Sequence, residues 1–203
     1  MSMSALNVLF CTEAAVCFFQ AAAAALRTRA YGGHFTGAMF LGLFCGVCAP
    51  LLRYGLLGMP DLHVLLQPLA LVALTGAMIG ALLLVLPAGQ RHSEMVFFWL
   101  DSAALGLLAA RDAVILHDIM HMPAGSALLL ALLLAVAPGF VRDAALGDTA
   151  RFVEEDWYAA SAALGAMLAL ALAACGVALP YSIMGGLLLM LSVRACRRRW
   201  GRR

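Results

Sequence analysis

Long apolar runs, separated by short polar or Gly/Pro-rich segments, set the pattern of this chain. Seven runs stand out: Ala5 to Leu26, Phe35 to Leu52, Val64 to Leu86, Met95 to Leu116, Ser126 to Val141, Trp157 to Ala178, and a last run from Tyr181 into an arginine-rich tail. A helix needs about 20 apolar residues to cross a hydrocarbon layer of roughly 30 Å. The pattern therefore predicts an all-α membrane protein with seven transmembrane helices. The first run carries Glu13 and Gln20, lacks a basic leading segment and has no clear cleavage site. It reads as a retained span and not a signal peptide. The seventh run is short in apolar residues, so Arg194 and its neighbours are expected to reach back to the head groups.

Composition sharpens this reading. Of 203 residues, 65% are hydrophobic and 12% charged, against about 45–50% and about 25% in soluble domains. So much apolar surface excludes a soluble fold, a disordered chain and a nucleic-acid-binding role. Residues 1–203 form a single transmembrane domain, with no room left for a sizeable soluble one.

All thirteen basic residues are arginine, and six lie in the last ten positions. Sorted by the side a seven-span topology gives them, eleven share the side of the C-terminus: Arg27, Arg29, Arg91, Arg142, Arg151 and the six of the tail. Arg53 and Arg111 fall on the other side. The excess of basic residues on cytoplasmic loops places the C-terminus in the cytoplasm and the N-terminus outside. The tail is suited to anionic lipid head groups. The six cysteines fall mostly within apolar runs, where they act as small hydrophobes and not as a disulfide framework.

An internal repeat emerges next. Gly46 to Gly58 reads GVCAPLLRYGLLG, and Ala135 to Gly147 reads AVAPGFVRDAALG. Aligned on Arg53 and Arg142, which lie 89 residues apart, they also match at Leu57/Leu146 and Gly58/Gly147. Pro50 and Pro138 precede the arginines, and Glu13 falls within one residue of Asp101. The chain reads as repeat one (about 1–88), repeat two (about 94–180) and a seventh helix with the tail (181–203). Three spans per repeat force opposite orientations, an inverted repeat. Proline removes a backbone donor and clashes with the preceding turn. Helix breaks are therefore expected at Cys48-Ala49-Pro50 and Ala137-Pro138-Gly139, and matched breaks in inverted halves point to a transport site.

These residues resemble the prokaryotic trimeric intracellular cation channels (TRIC), including bacterial inner-membrane proteins with glycine-transporter-type domains. In that family spans two and five each hold a Gly-Gly-Gly-x-x-Arg-Asp element. Here the elements read Cys48-Ala49-Pro50-Leu51-Leu52-Arg53-Tyr54 and Ala137-Pro138-Gly139-Phe140-Val141-Arg142-Asp143. An early acidic residue in spans one and four is matched by Glu13 and Asp101, and an acidic-x-Tyr-Ala element by Asp156-Trp157-Tyr158-Ala159. The resemblance covers nearly the whole chain. It implies a homotrimer with one potassium path inside each protomer, lined by kinked spans two and five, and lipid contacts at basic residues. It implies no resident cofactor and no catalytic or metal site; potassium enters as the permeant ion. Only Gly139 remains of the six motif glycines, and Tyr54 replaces an Asp. The bulkier Cys48 and Ala49 are expected to narrow the path.

Charges inside spans are costly and mark function by default. Glu13, Arg53, Asp101, Arg142 and Asp143 are the pore or gating candidates, with Asp156 and Tyr158 at the mouth. Glu13 or Asp101 is expected to pair with an arginine of the other repeat. Arg142 and Asp143, being adjacent, are expected to find different partners. Arg111 and Asp112 are expected to reach the interface. Glu154-Glu155-Asp156 reads as a solvated helix entry. Cys45-Gly46-Val47-Cys48 lacks the strand–helix context of a redox motif. His117-Asp118-Ile119-Met120-His121 lacks the glutamate and third ligand of a zinc helix and reads as a wet loop. Gly42/Gly46 and Gly76/Gly80 are small-x-x-x-small pairs that fit close helix packing or a trimer seam. The readings from other classes are a carrier of glycine or a similar solute, and a non-conducting structural homologue; no enzyme is indicated.

Overall fold

The computed structural model describes residues 3–57, 62–83, 90–149 and 157–200. Those residues form seven helices and no strand: α1 (Met3–Ala30), α2 (Phe35–Leu57), α3 (Leu62–Leu83), α4 (Gln90–Val114), α5 (Ala124–Ala145), α6 (Tyr158–Ala174) and α7 (Leu179–Trp200). One turn of π-helix, Ile115–Ile119, extends α4. Six of the seven are long and apolar enough to span a bilayer, and α6 is shorter. Each apolar run has become a helix, and the chain is a multi-pass membrane protein.

The helix ends differ from the runs for a physical reason. Hydropathy falls at an arginine, but helix propensity does not. So α1 continues through Arg27 and Arg29 in its last turn, where cations favour a helix C-terminus. Helix α7 likewise runs on through the arginines to Trp200. The larger difference is at the prolines. Helices α2 and α5 pass without interruption through Pro50 and Pro138, as α3 does through Pro68. Proline's fixed φ is compatible with a helix, and here the lost ladder hydrogen bond and the clash with the preceding turn do not end it. The expected breaks into half-helices are therefore absent.

The described chain falls into two compact units. One comprises Glu13–Ala104 and Ala137–Ala150. Here α2 lies along α3, and small residues set the spacing. A Cβ on Gly42 or Gly46 would stand 2.7 Å from the Cβ of Ala77 or Ala73. A Cβ on Gly76 or Gly80 would stand 2.5 or 2.2 Å from the carbonyl oxygens of Phe18 and Ala22. Cys17, Ala21, Ala25, Ala38, Leu69, Ala73, Ala77 and Ala81 fill the seam. Both small-x-x-x-small pairs thus serve packing among α1, α2 and α3, where close backbone approach replaces side-chain bulk.

The other unit comprises Met1–Thr12, Leu105–Val136 and Arg151–Arg203. Helices α6 and α7 pack along each other. Their backbones meet at Gly165 and Gly186, where an added Cβ would come within 2.6 and 2.5 Å of the facing carbonyl oxygen. Arg194 does not reach toward head groups: it is buried, its guanidinium 4.8 Å from the centre of the Tyr158 ring. Helical periodicity turns this one arginine inward, while Arg197 stays exposed with its guanidinium 4.9 Å from the Trp157 ring.

Candidate functional site

Two buried ion pairs in the first unit repeat one construction. In each, an acid on one helix meets an arginine that follows a proline on the next. Glu13 of α1 pairs with Arg53 of α2, through Oε2 and Nη2, and both are 2% exposed. Asp101 of α4 pairs with Arg142 of α5, Nη1 to Oδ1 at 2.6 Å, at 0% and 1% exposure. The expected pairing crossed between repeats; the observed pairs join neighbouring helices. The connections are short, residues 31–34 and 120–123. Such connections bring successive helices side by side. An acid on the first helix and an arginine near the end of the second then lie at one depth.

Arg142 also donates through Nε to Asp143 Oδ1 at 2.7 Å. Adjacent residues were expected to diverge, but the guanidinium is long and forked, and it serves both carboxylates. Each arginine also stands by an aromatic ring. The Arg53 guanidinium lies 5.3 Å from the centre of the Tyr54 ring, and that of Arg142 4.8 Å from Phe97. Tyr54 thus gives Arg53 a ring face where the motif would have a second carboxylate. Pro50 and its neighbours Cys48 and Ala49 are buried beside this site, as are Pro138 and Gly139, with Ala137 half-buried.

The other candidates are placed differently. Arg111 and Asp112 were expected at the interface and are buried at 4% and 0% exposure. They bond each other at 2.9 Å, and Arg111 also donates to Thr12 Oγ1 at 3.0 Å and to the Leu9 carbonyl at 3.3 Å. The continuation of α4 through its π-turn places them well inside the helix end. Tyr158 is buried beneath Arg194 and is not an open mouth group. Asp156, Glu154 and Glu155 lie outside the described residues. Cys45 and Cys48 are buried free thiols within a helix. His117, Asp118 and His121 line an open depression of about 560 Å³ with Met122 and Ala173. Among the described residues no group of three or more His, Cys, Asp or Glu side chains could hold a metal ion.

The sequence reading missed a second polar cluster. Arg27 bonds Glu94 at 2.9 Å and Asp148 at 3.0 Å, and donates to the Tyr31 hydroxyl at 3.1 Å. The Tyr31 hydroxyl in turn donates to Asp148. Glycine-terminated turns build it. Gly147 has φ +68°, and the Asp148 amide returns to the Asp143 carbonyl at 2.9 Å, a Schellman closure that only glycine adopts without strain. The hydrogen bonds from Tyr31 and then Arg27 hold the Asp148 carboxyl below its usual range. Its contribution to stability is therefore present above pH 3.8, its ordinary value, and lost as pH falls through the lowered one. Thermal melting should be insensitive to pH near neutrality and drop below about pH 4. In Asp148→Asn that acid-side drop should be smaller; an unchanged drop would show that Asp148 does not carry it.

No protein-family model matches the sequence, and no curated protein matches it. The fold, however, is shared with solved structures, two of which are of cation channels and not enzymes. The crystal structures of the TRIC trimeric intracellular cation channel orthologue from Rhodobacter sphaeroides match with a TM-score of 0.80 and 22% identity, over 98% of this chain and 100% of that one. A structure described under the structural basis for conductance through TRIC cation channels matches with a TM-score of 0.74 and 16% identity, over 94% of this chain and 92% of that one. The chain therefore has the TRIC channel fold.

Proposed function

We propose that this protein is a TRIC-type channel for monovalent cations, potassium foremost, with one path in each protomer of a homotrimer. The path runs beside Pro50 of α2 and Pro138 of α5, in a chain of two inverted three-helix repeats plus a seventh helix. The observation that carries this reading is the duplicated buried acid–arginine pair, one proline-containing helix to each pair. A structural pair would be as well served by apolar residues, and buried pairs are weak evidence of stability alone. Charge supports a cation. Arg142 faces both Asp101 and Asp143, and Arg53 faces Glu13, so carboxylates stand in both pairs. Carboxylates in a low-dielectric site favour cations.

Orientation rests on the arginines outside the helix interiors. Arg53, Arg111, Arg142 and Arg194 are buried and carry no topological weight. The remaining nine all fall on the C-terminal side of a seven-span chain, which supports a cytoplasmic C-terminus in a bacterial inner membrane. Arg197 is exposed and remains available to anionic lipids.

A glycine-type carrier would use helix N-termini inside the membrane to hold a carboxylate. The continuity of α2 and α5 removes such termini at the prolines. The test is uptake into proteoliposomes. Potassium flux should rise with the gradient without saturating, and glycine counterflow should be absent. Saturable glycine exchange without potassium flux would replace this reading with the carrier.

A further inference from the structure

Glu94, Phe97 and Asp101 stand at i, i+3 and i+7 on α4 and so share one helical face. Each meets an arginine from another element. Glu94 takes Arg27 of α1 at 2.9 Å, and Asp101 takes Arg142 of α5 at 2.6 Å. Phe97, between them, takes both: the Arg27 and Arg142 guanidiniums lie 5.0 and 4.8 Å from its ring centre. The ring is 2% exposed and packed against Ala23 and Leu26 of α1, with Leu83 and Leu100 at its edge.

We infer that Phe97 is a positioning residue that couples the Arg27 cluster to the buried Arg142–Asp101 pair. The inference rests on reading that pair as part of the ion path. A ring attracts a cation through its quadrupole. Two guanidiniums on one ring share that attraction and repel each other. Their positions are then linked: a change in what holds Arg27 alters how the ring holds Arg142. Arg27 is held by Glu94, Asp148 and Tyr31, and a change near the end of α1 or α5 would move Tyr31 or Asp148. Arg142 is held by Asp101 and Asp143. Phe97 belongs to a different helix from either arginine, so it reports the position of one to the other. Tyr54 is different: it follows Arg53 directly on α2 and moves with it. The second pair is therefore the regulated one, and the cluster is its control point.

Contact alone does not establish coupling, and a double-mutant cycle does. The full chain would be purified as wild type, Asp148→Asn, Phe97→Leu, Phe97→Tyr and the two doubles. Potassium flux in proteoliposomes and melting temperature would be read for each. Asp148→Asn should change flux by about threefold or more in wild type and in Phe97→Tyr, which keeps the ring. In Phe97→Leu the same change should fall below about 1.5-fold, with the same non-additivity in the melting temperatures. Additive effects in every background would overturn the inference and leave conduction untouched. If wild type carries no flux, the conduction reading fails, and the melting cycle alone decides the coupling by the same criterion. Phe97→Met replaces Phe97→Leu if the latter does not fold.

Discussion

Replacing Arg142 with alanine is expected to lower stability by about 3–5 kcal/mol, the cost of leaving a buried charge without its partner. Its environment makes this charge sensitive. Its removal strips the guanidinium from two carboxylates, Asp101 at 0% and Asp143 at 2% exposure. It also removes the cation from the Phe97 ring. The carboxylates must then take up protons or draw in water. Arg53→Ala should lower stability in the same direction, because it strips the guanidinium from the buried Glu13 carboxylate. Melting of the purified protein in detergent should fall by about 10 °C for Arg142→Ala, at roughly 2–4 °C per kcal/mol for a chain this long. The neutral triple Asp101→Asn, Arg142→Gln, Asp143→Asn, which leaves neither carboxylate charged, should recover much of the loss. A melting temperature unchanged in Arg142→Ala would show that the pair carries no structural strain and that its charges are already screened.

Gly80→Leu is expected to prevent α1 and α3 from packing at all. A Cβ at Gly80 would stand 2.2 Å from the Ala22 carbonyl oxygen and 2.8 Å from its carbonyl carbon. Those are backbone atoms, so no rotamer change relieves the clash, and the helices must separate. Separation would also open the contact at Gly76, where an added Cβ would stand 2.5 Å from the Phe18 carbonyl oxygen. Overpacking in a well-packed core costs about 1–3 kcal/mol, and a backbone clash belongs at the top of that range or above it. Even Gly80→Ala should lower the melting temperature by several degrees, and Gly80→Leu should not yield a monodisperse protein. Gly125→Ala is the control, since nothing lies within 4 Å of its Cβ position. An Ala at Gly80 that melts like wild type would contradict the seam.

The seven helices were legible because an apolar run long enough to span a membrane has few alternatives. Glu13, Arg53, Asp101 and Arg142 were legible as sites for the same reason: charge inside such a run is conspicuous. Their partners were not. Whether Glu13 meets Arg53 or Arg142 depends on how neighbouring helices lie, which local pattern does not encode. Arg111 and Asp112 were misplaced because hydropathy drops there while the helix continues. The prolines suggested breaks that the surrounding helix absorbs. The Arg27–Asp148 contact joins residues 121 apart, and no local signal announces it. Phe97 looked like any apolar residue. Its spacing to Glu94 and Asp101 was visible, but its meaning comes only from the two arginines that converge on it.

Currents across a planar bilayer holding the purified protein test the central claim most directly, the conduction of cations by this chain. Discrete openings are expected, with a reversal potential under a potassium chloride gradient that follows potassium. Silent bilayers with protein that melts cooperatively, or a reversal potential that follows chloride, would contradict it.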